Sequence, residues 1–229
     1  NTKMNVGEYL KNAVDTTNGK LTMNISDDSY RMALNKVNVK LSELNDISNG
    51  SGINFTGSDT SKITQSLIEI DIDSNIDRNN TTGDKTYKNQ EIGKSGIVLN
   101  KGVTISGTEE GLAGIAQEFA DNDAYILSST NNGTIKLTGN NSLGMYTKRS
   151  SVINTGMIDL SGTSAVGLYS VLGGAENTGT IKVGDKGIGM YATTDVDISE
   201  VPYYTPSASL QNSGKIIAEA GSNAVGMYI

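Results

Sequence analysis

Asn154-Thr-Gly-Met-Ile158, followed shortly by Ala165-Val-Gly-Leu-Tyr169, decides how this chain folds, because both phrases recur. Asn131–Ile135, Asn177–Ile181 and Asn212–Ile216 repeat the first. Ser142–Tyr146, Gly187–Tyr191 and Ala224–Tyr228 repeat the second. Gly133 to Gly156, Gly156 to Gly179 and Gly144 to Gly167 are each 23 residues apart. A fixed period in this range marks a repeat architecture whose units bury their apolar faces only by stacking.

The strand pattern names the type of stack. A strand advances about 3.3 Å per residue, so a coil of this length has a perimeter of about 75 Å at most. That suits three short strands per coil, with coils stacked at the inter-strand spacing. A leucine-rich repeat has a similar period but needs regular Leu and a helical side, and neither is present. The expected fold is mainly β: a three-sided parallel β-helix of about 23 residues per coil. In Ile135-Lys136-Leu137, Ile158-Asp159-Leu160 and Ile181-Lys182-Val183 the outer two residues should point inward. Lys136, Asp159 and Lys182 should then stack outside, Lys over Asp over Lys. In the second phrase, Leu143/Met145, Val166/Leu168, Ile188/Met190 and Val225/Met227 are expected on one face, with Gly and Tyr on the other. Asn131, Asn154, Asn177 and Asn212 form one structural ladder, and Tyr146, Tyr169, Tyr191 and Tyr228 another. A sugar-stacking platform is the alternative reading of the tyrosines.

Composition excludes whole classes of chemistry. The 229 residues contain no Cys and no His. Disulfides, thiolate nucleophiles, Ser-His-Asp catalysis and the commonest zinc ligands are absent with them. The formal net charge of −7 opposes a nucleic-acid partner. No apolar run reaches the length of a membrane-crossing helix, and no signal peptide is evident. The chain opens with Asn1 and stops one residue past a repeat Tyr, so it reads as a fragment of something longer.

Three regions follow. Residues 1–50 read as an N-terminal cap of mixed helix and strand. Leu34, Val37, Leu41 and Leu44 lie on one helical face after the capping oxygens of Asp27-Asp28-Ser29. A second helix is expected over Val6–Val14, closed by Asn18-Gly19, and a strand over Leu21, Met23 and Ile25. Residues 51–96 read as irregular first coils, with a strand whose Ile68, Ile70 and Ile72 alternate with Glu69, Asp71 and Asp73. Residues 97–229 are regular coils. Here Asn100, Gly102, Val103 and Ile105, then Leu112–Ile115, form a degenerate first repeat.

The recurring Asn-x-Gly-x-Ile and x-x-Gly-[Met/Leu]-Tyr coils resemble the passenger domains of large fusobacterial-type autotransporter adhesins. Asn154–Ile158 with Ala165–Tyr169, and the three equivalent sets, carry the resemblance over about residues 97–229. It implies a right-handed parallel β-helix displayed outside the outer membrane, attached through a translocator barrel absent from these residues. It also implies a monomeric, non-catalytic adhesin that holds binding loops on a rigid stalk. The partners implied are a host cell-surface protein or glycan receptor, or the surface of other bacteria. No cofactor is implied.

The period breaks once inside the clear repeats. Gly179 to Gly214 is 35 residues, which inserts about twelve around Thr193–Ser207. Insertions in solenoids map to loops on one face, often the binding face. Asp195, Asp197, Glu200, Tyr203 and Tyr204 are therefore the partner-binding candidates, with Pro202 and Pro206 limiting the loop's freedom. Asp71-x-Asp73-x-Asn75-x-Asp77 has the opening spacing of a calcium loop but lacks its Gly and its closing acid. Two other functions stay open: a polysaccharide-degrading β-helix enzyme, and a spacer whose parent binds elsewhere. Asp159, Glu176, Asp185 and Glu219 fall on different coil positions, so no carboxylate pair of the glycosidase type is evident. Lys182 and Lys186 are available as bases, but nothing in the sequence singles them out.

Overall fold

The structure is a computed structural model. It describes residues 14–15, 21–25, 36–40, 53–57, 67–80, 95–118, 128–194, 207–219 and 221–229. It is a parallel β-helix built of three sheets. From the C-terminal end, the first sheet contains Ser209–Asn212, Gly174–Asn177, Ser151–Asn154, Ser129–Asn131, Ser95–Leu99, Leu67–Ile72 and Lys36–Lys40. The second contains Lys215–Ala218, Thr180–Val183, Met157–Leu160, Thr134–Leu137, Thr104–Gly107 and Ile76–Asp77. The third contains Val225–Tyr228, Ile188–Thr193, Val166–Val171, Leu143–Lys148 and Ala113–Glu118. Five coils, from Ser95 to Tyr228, visit the three in that order, and every neighbouring pair in the three sheets is parallel.

One core runs along the axis. Ile135, Ile158 and Ile181 from the second sheet meet Met145, Leu168 and Met190 from the third, all at 0% exposure. The inward–outward alternation expected for the second sheet holds. Lys136 pairs in register with Asp159, and Asp159 with Lys182.

The third sheet departs from the expected alternation. Met145 is fully buried, but Leu143, Val166 and Ile188 are only half-buried, and Gly144 is buried beside Met145. Two successive inward residues interrupt the period of two, as a bulge does. The cause is space. A Cβ on Gly144 would lie 2.4 Å from the Gly167 carbonyl oxygen and 2.7 Å from Ile158 Cγ2. On Gly167 it would lie 2.4 Å from the Gly189 oxygen and 2.5 Å from Ile181 Cγ2. The glycine thus faces the isoleucine of the opposite sheet, and no side chain fits between them. The tyrosines remain outside.

The N-terminal region is also corrected. Its described segments are strands. Val14–Asp15 pairs antiparallel with Leu21–Ile25, which pairs parallel with Ile53–Gly57. The strand expected over Leu21, Met23 and Ile25 is present. Val14, expected to end a helix, is in a strand, and Asn18-Gly19 lies outside the described residues. Val37, expected on a helical face, lies in Lys36–Lys40, which pairs parallel with Leu67–Ile72. Val37 and Val39 alternate and are β-branched, so an available sheet edge overrides a helical spacing. Leu34, Leu41, Leu44 and the rest of Val6–Val14 lie outside the described residues. The only helical turn among the described residues is the 3₁₀ segment Arg78–Asn80.

The degenerate coil is displaced from its expected register. Leu99, not Asn100, pairs with Asn131, and Thr104 pairs with Thr134, which puts Val103 opposite Gly133. Ile105 pairs with Ile135, and Ile115 with Met145, as the sequence reading places them.

Candidate functional site

Two ladders run along the stack. The Asn131, Asn154 and Asn177 side chains are fully buried at the start of the turn from first to second sheet. Asn131 Nδ2 donates to Asn154 Oδ1, Asn154 Nδ2 to Asn177 Oδ1, and Asn177 Nδ2 to Asn212 Oδ1, each at 2.7 Å. Asn131 Oδ1 also accepts from the Gly133 amide at 3.0 Å, closing the turn locally. These amides satisfy one another inside the stack and present nothing to a ligand.

The tyrosines stack outside the third sheet. Ring centroids of Tyr146–Tyr169, Tyr169–Tyr191 and Tyr191–Tyr228 are 5.3, 5.0 and 5.4 Å apart. The ring planes are inclined at 60°, 39° and 26°, so each ring in the middle of the row has a neighbouring ring packed on either side. A sugar platform needs an open face, which disfavours that reading for the middle of the row. Burial, and then the neighbouring Tyr191 hydroxyl, push the Tyr169 phenol up. Tyr146 and Tyr169 also pack against the buried pair Val171 and Leu172.

Beside this row is the corner where the third sheet leads back to the first, and its length varies from coil to coil. In register, two residues (Arg149 and Ser150) join Lys148 to Ser151, and two (Leu172 and Gly173) join Val171 to Gly174. On the preceding coil nine residues, 119–127, join Glu118 to Ser128. On the following coil residues 194–208 join Thr193 to Ser209. Both insertions therefore begin and end at one corner, on either side of two tight turns.

The tight turns are built to hold this edge. Arg149 and Leu172 take left-handed conformations, with φ of 64° and 54°. The Arg149 amide donates to the Val171 carbonyl, and the Leu172 amide to the Thr193 carbonyl. The Ser209 amide donates to the Gly173 carbonyl, so the backbone on both sides of the longer insertion is fixed to the turn beside it. A hollow of about 260 Å³ opens here, lined by Arg149, Ser150, Ser151, Gly173, Gly174, Ser207 and Ser209. A second, of about 220 Å³, adjoins it, with Glu176 and Gln211 in its lining.

The candidates from sequence fall unequally on this geometry. Asp195, Asp197, Glu200, Tyr203 and Tyr204 lie outside the described residues, although the ends of their segment sit at this corner. Asp71, Asp73, Asn75 and Asp77 do not converge. The Asn75 side chain accepts from the Thr104 amide, and Asp77 from the Asn79 amide. Among the described residues no group of three or more acidic side chains is placed to hold a metal. The insertion at 119–127 escaped the sequence reading. Its signal is the spacing of 30 residues from Ile105 to Ile135, seven more than the period.

The chain matches no protein-family model, no curated protein and no solved structure.

Proposed function

We propose that this chain is part of a non-catalytic bacterial adhesin, in which a rigid β-helix displays binding segments on the cell surface. The observation that supports it is the corner from which both insertions emerge. A surface that presents two added segments about three coil spacings apart, roughly 14 Å, suits a contact wider than either alone. The stack behind it is held by repeated backbone pairing and by ladders that carry no reactive group. Affinity on this reading comes from the corner, and many copies on one cell raise avidity. The partner is a host-cell protein or glycan, or another bacterium's surface, and the passenger stands outside the outer membrane.

Deleting 195–206 tests this in the protein as displayed on its cell. The fold, followed by far-UV circular dichroism, should survive, because Thr193 and Ser209 each rest on an intact turn. Attachment to host cells or partner bacteria should fall. Unchanged attachment with the fold intact would refute the loop assignment and favour a spacer. Release of reducing ends from a polysaccharide by the purified chain would instead establish an enzyme.

A further inference from the structure

We propose that a trough along the outer face of the first sheet binds a neutral oligosaccharide laid along the axis of the stack. The site gives the adhesive reading a ligand class and rests on that reading, but its residues lie in strands, outside both insertions.

The trough follows from side-chain size. Ser151, Gly174 and Ser209 are in register on three successive coils, and Ser128 continues their column on the coil before. Two residues further along each strand, Ile153, Glu176 and Gln211 are in register as a second column. Both columns face outward, because Val152 and Ala175 between them are buried in the core. The first column carries small side chains and the second longer ones, so the face is hollowed along the axis. The hollow measures about 220 Å³. From Ser128 to Ser209 it crosses three coil spacings, about 14 Å, which suits a short linear glycan better than a single sugar.

One position in its floor has no side chain. The φ of Gly174 is not in the left-handed region, and the atoms nearest an added Cβ are Ser151 Oγ and Ser209 Oγ, both at 3.1 Å. Gly167 differs, because there the obstacle is a carbonyl of the next coil. The omission at 174 leaves a notch with one hydroxyl on each side. The Ser151, Glu176, Ser209 and Gln211 side chains make no hydrogen bond to another described residue, so their polar atoms are turned to solvent.

The lining selects the ligand. Serine hydroxyls and the Gln211 amide both donate and accept, and the Glu176 carboxylate accepts only. Closely spaced sugar hydroxyls answer both functions, and Ile153 offers apolar contact to the C–H face of a ring. Glu176 is the only charged residue among the described lining, on a chain of net charge −7, so an acidic glycan is repelled. A peptide strand finds no edge to extend, since the Gly174–Asn177 backbone is already paired on both sides.

The test is a ¹⁵N–¹H NMR titration of the whole chain with cellotriose, maltotriose, galactotriose and tri-N-acetylchitotriose, with trigalacturonate as the acidic counterpart and glycerol as the control for hydroxyl content. At least one neutral trisaccharide should give saturable shifts at Ser151, Gly174, Glu176 and Gln211, and trigalacturonate and glycerol should not. Gly174→Val fills the notch with a residue suited to a strand and should weaken binding at least about tenfold. Glu176→Ala removes a charged acceptor and should cost at least about tenfold as well. Both variants should keep the far-UV circular dichroism of the parent, because both positions face outward. Direct binding separates this site from the adhesive reading: a failure here leaves the result of deleting 195–206 standing, and the reverse holds. No saturable shift with any neutral trisaccharide, trigalacturonate binding as tightly as galactotriose, or unchanged binding in both variants would overturn the assignment.

Discussion

Replacing Asn154 by alanine tests whether the buried amide ladder contributes to stability or only records the stacking. Asn154 is the second of four rungs. Its Nδ2 donates to Asn177 Oδ1 and its Oδ1 accepts from Asn131 Nδ2, both at 2.7 Å. Alanine removes both bonds, and each contributes about 1 kcal/mol net. Asn131 Nδ2 keeps the Met157 carbonyl at 3.1 Å, so it is not stranded. Asn177 Oδ1 loses a short donor while fully buried, which costs about 1–3 kcal/mol more. The expected loss is about 3–5 kcal/mol in total. Asn212 is the control. It is exposed, and removing it takes away one bond from Asn177 Nδ2, which retains the Lys215 carbonyl at 3.3 Å. Asn212→Ala should lose no more than about 1 kcal/mol. Urea unfolding followed by far-UV circular dichroism measures both, and Asn154→Ala should lower the midpoint by about 1–2 M. A solenoid can open coil by coil, so hydrogen exchange at the Gly156 and Gly179 amides should localise the loss to the neighbouring coils. If the two variants lose the same stability, or Asn154→Ala loses under about 1 kcal/mol, the buried amides do not hold this corner.

The glycine column gives a steric counterpart. Gly167→Ala drives a Cβ to 2.4 Å from a backbone oxygen and should destabilise the stack by more than about 3 kcal/mol. Gly226→Ala, in the same column with nothing within 4 Å, should be neutral in the same denaturation assay. Asp159→Lys puts three lysines in one outward row and should lose about 1 kcal/mol or less, the loss shrinking as salt is added. The raised Tyr169 phenol predicts a pH effect. Its neutral form is favoured in the folded chain, so the folded state holds the proton longer than the unfolded one. Its contribution is complete below the ordinary tyrosine value of about 10 and is lost as pH rises through the folded value. Tyr169→Phe should flatten that part of the alkaline stability profile, and an unchanged profile would contradict the burial of this hydroxyl.

The columns were legible because each residue type stacks on itself at a nearly constant interval. Between uninterrupted coils Asn recurs at 23 residues and Gly and Tyr at 22 or 23, and register does the rest. The phase of the third sheet was not legible. Leu143-Gly-Met145 reads as simple alternation, and only the Ile158 methyl on the opposite sheet explains why glycine and methionine both face inward. The strand Lys36–Lys40 is hard to read because its alternation, Val37 and Val39, spans only five residues, while Val37 with Leu34, Leu41 and Leu44 outside it also fits a helical spacing. The corner site was half legible. The insertion after Thr193 stood out because intact motifs bracket it. The one at 119–127 did not, because Leu99 and Val103 stand where the motif has Asn and Gly. The hollow itself needed three dimensions, since Arg149, Gly174 and Ser209 are neighbours only through the coil register.

The corner lengths explain why insertions gather at one place. Between first and second sheets, two residues bridge Asn131 to Thr134, Asn154 to Met157, Asn177 to Thr180 and Asn212 to Lys215. Where Leu99 replaces the asparagine, the bridge lengthens to four residues, 100–103, and needs Gly102 at φ 83°. The difference is chemical: Asn131 Oδ1 can take the Gly133 amide and close a short turn, and a leucine cannot. Gly156 and Gly179 reinforce the constraint, since a Cβ on either would meet the preceding coil's glycine oxygen at 2.2 Å. The corner between second and third sheets varies only slightly, with five residues between Leu160 and Val166 and four between Val183 and Ile188. Among the described residues the corner between third and first sheets has no amide ladder, and a single glycine, Gly173, is wedged there against the Ser150 carbonyl of the preceding coil. That corner's backbone bonds tie each turn to a neighbour without fixing how much chain lies between. Length, and with it any added binding surface, can change there while the core and both ladders keep their register.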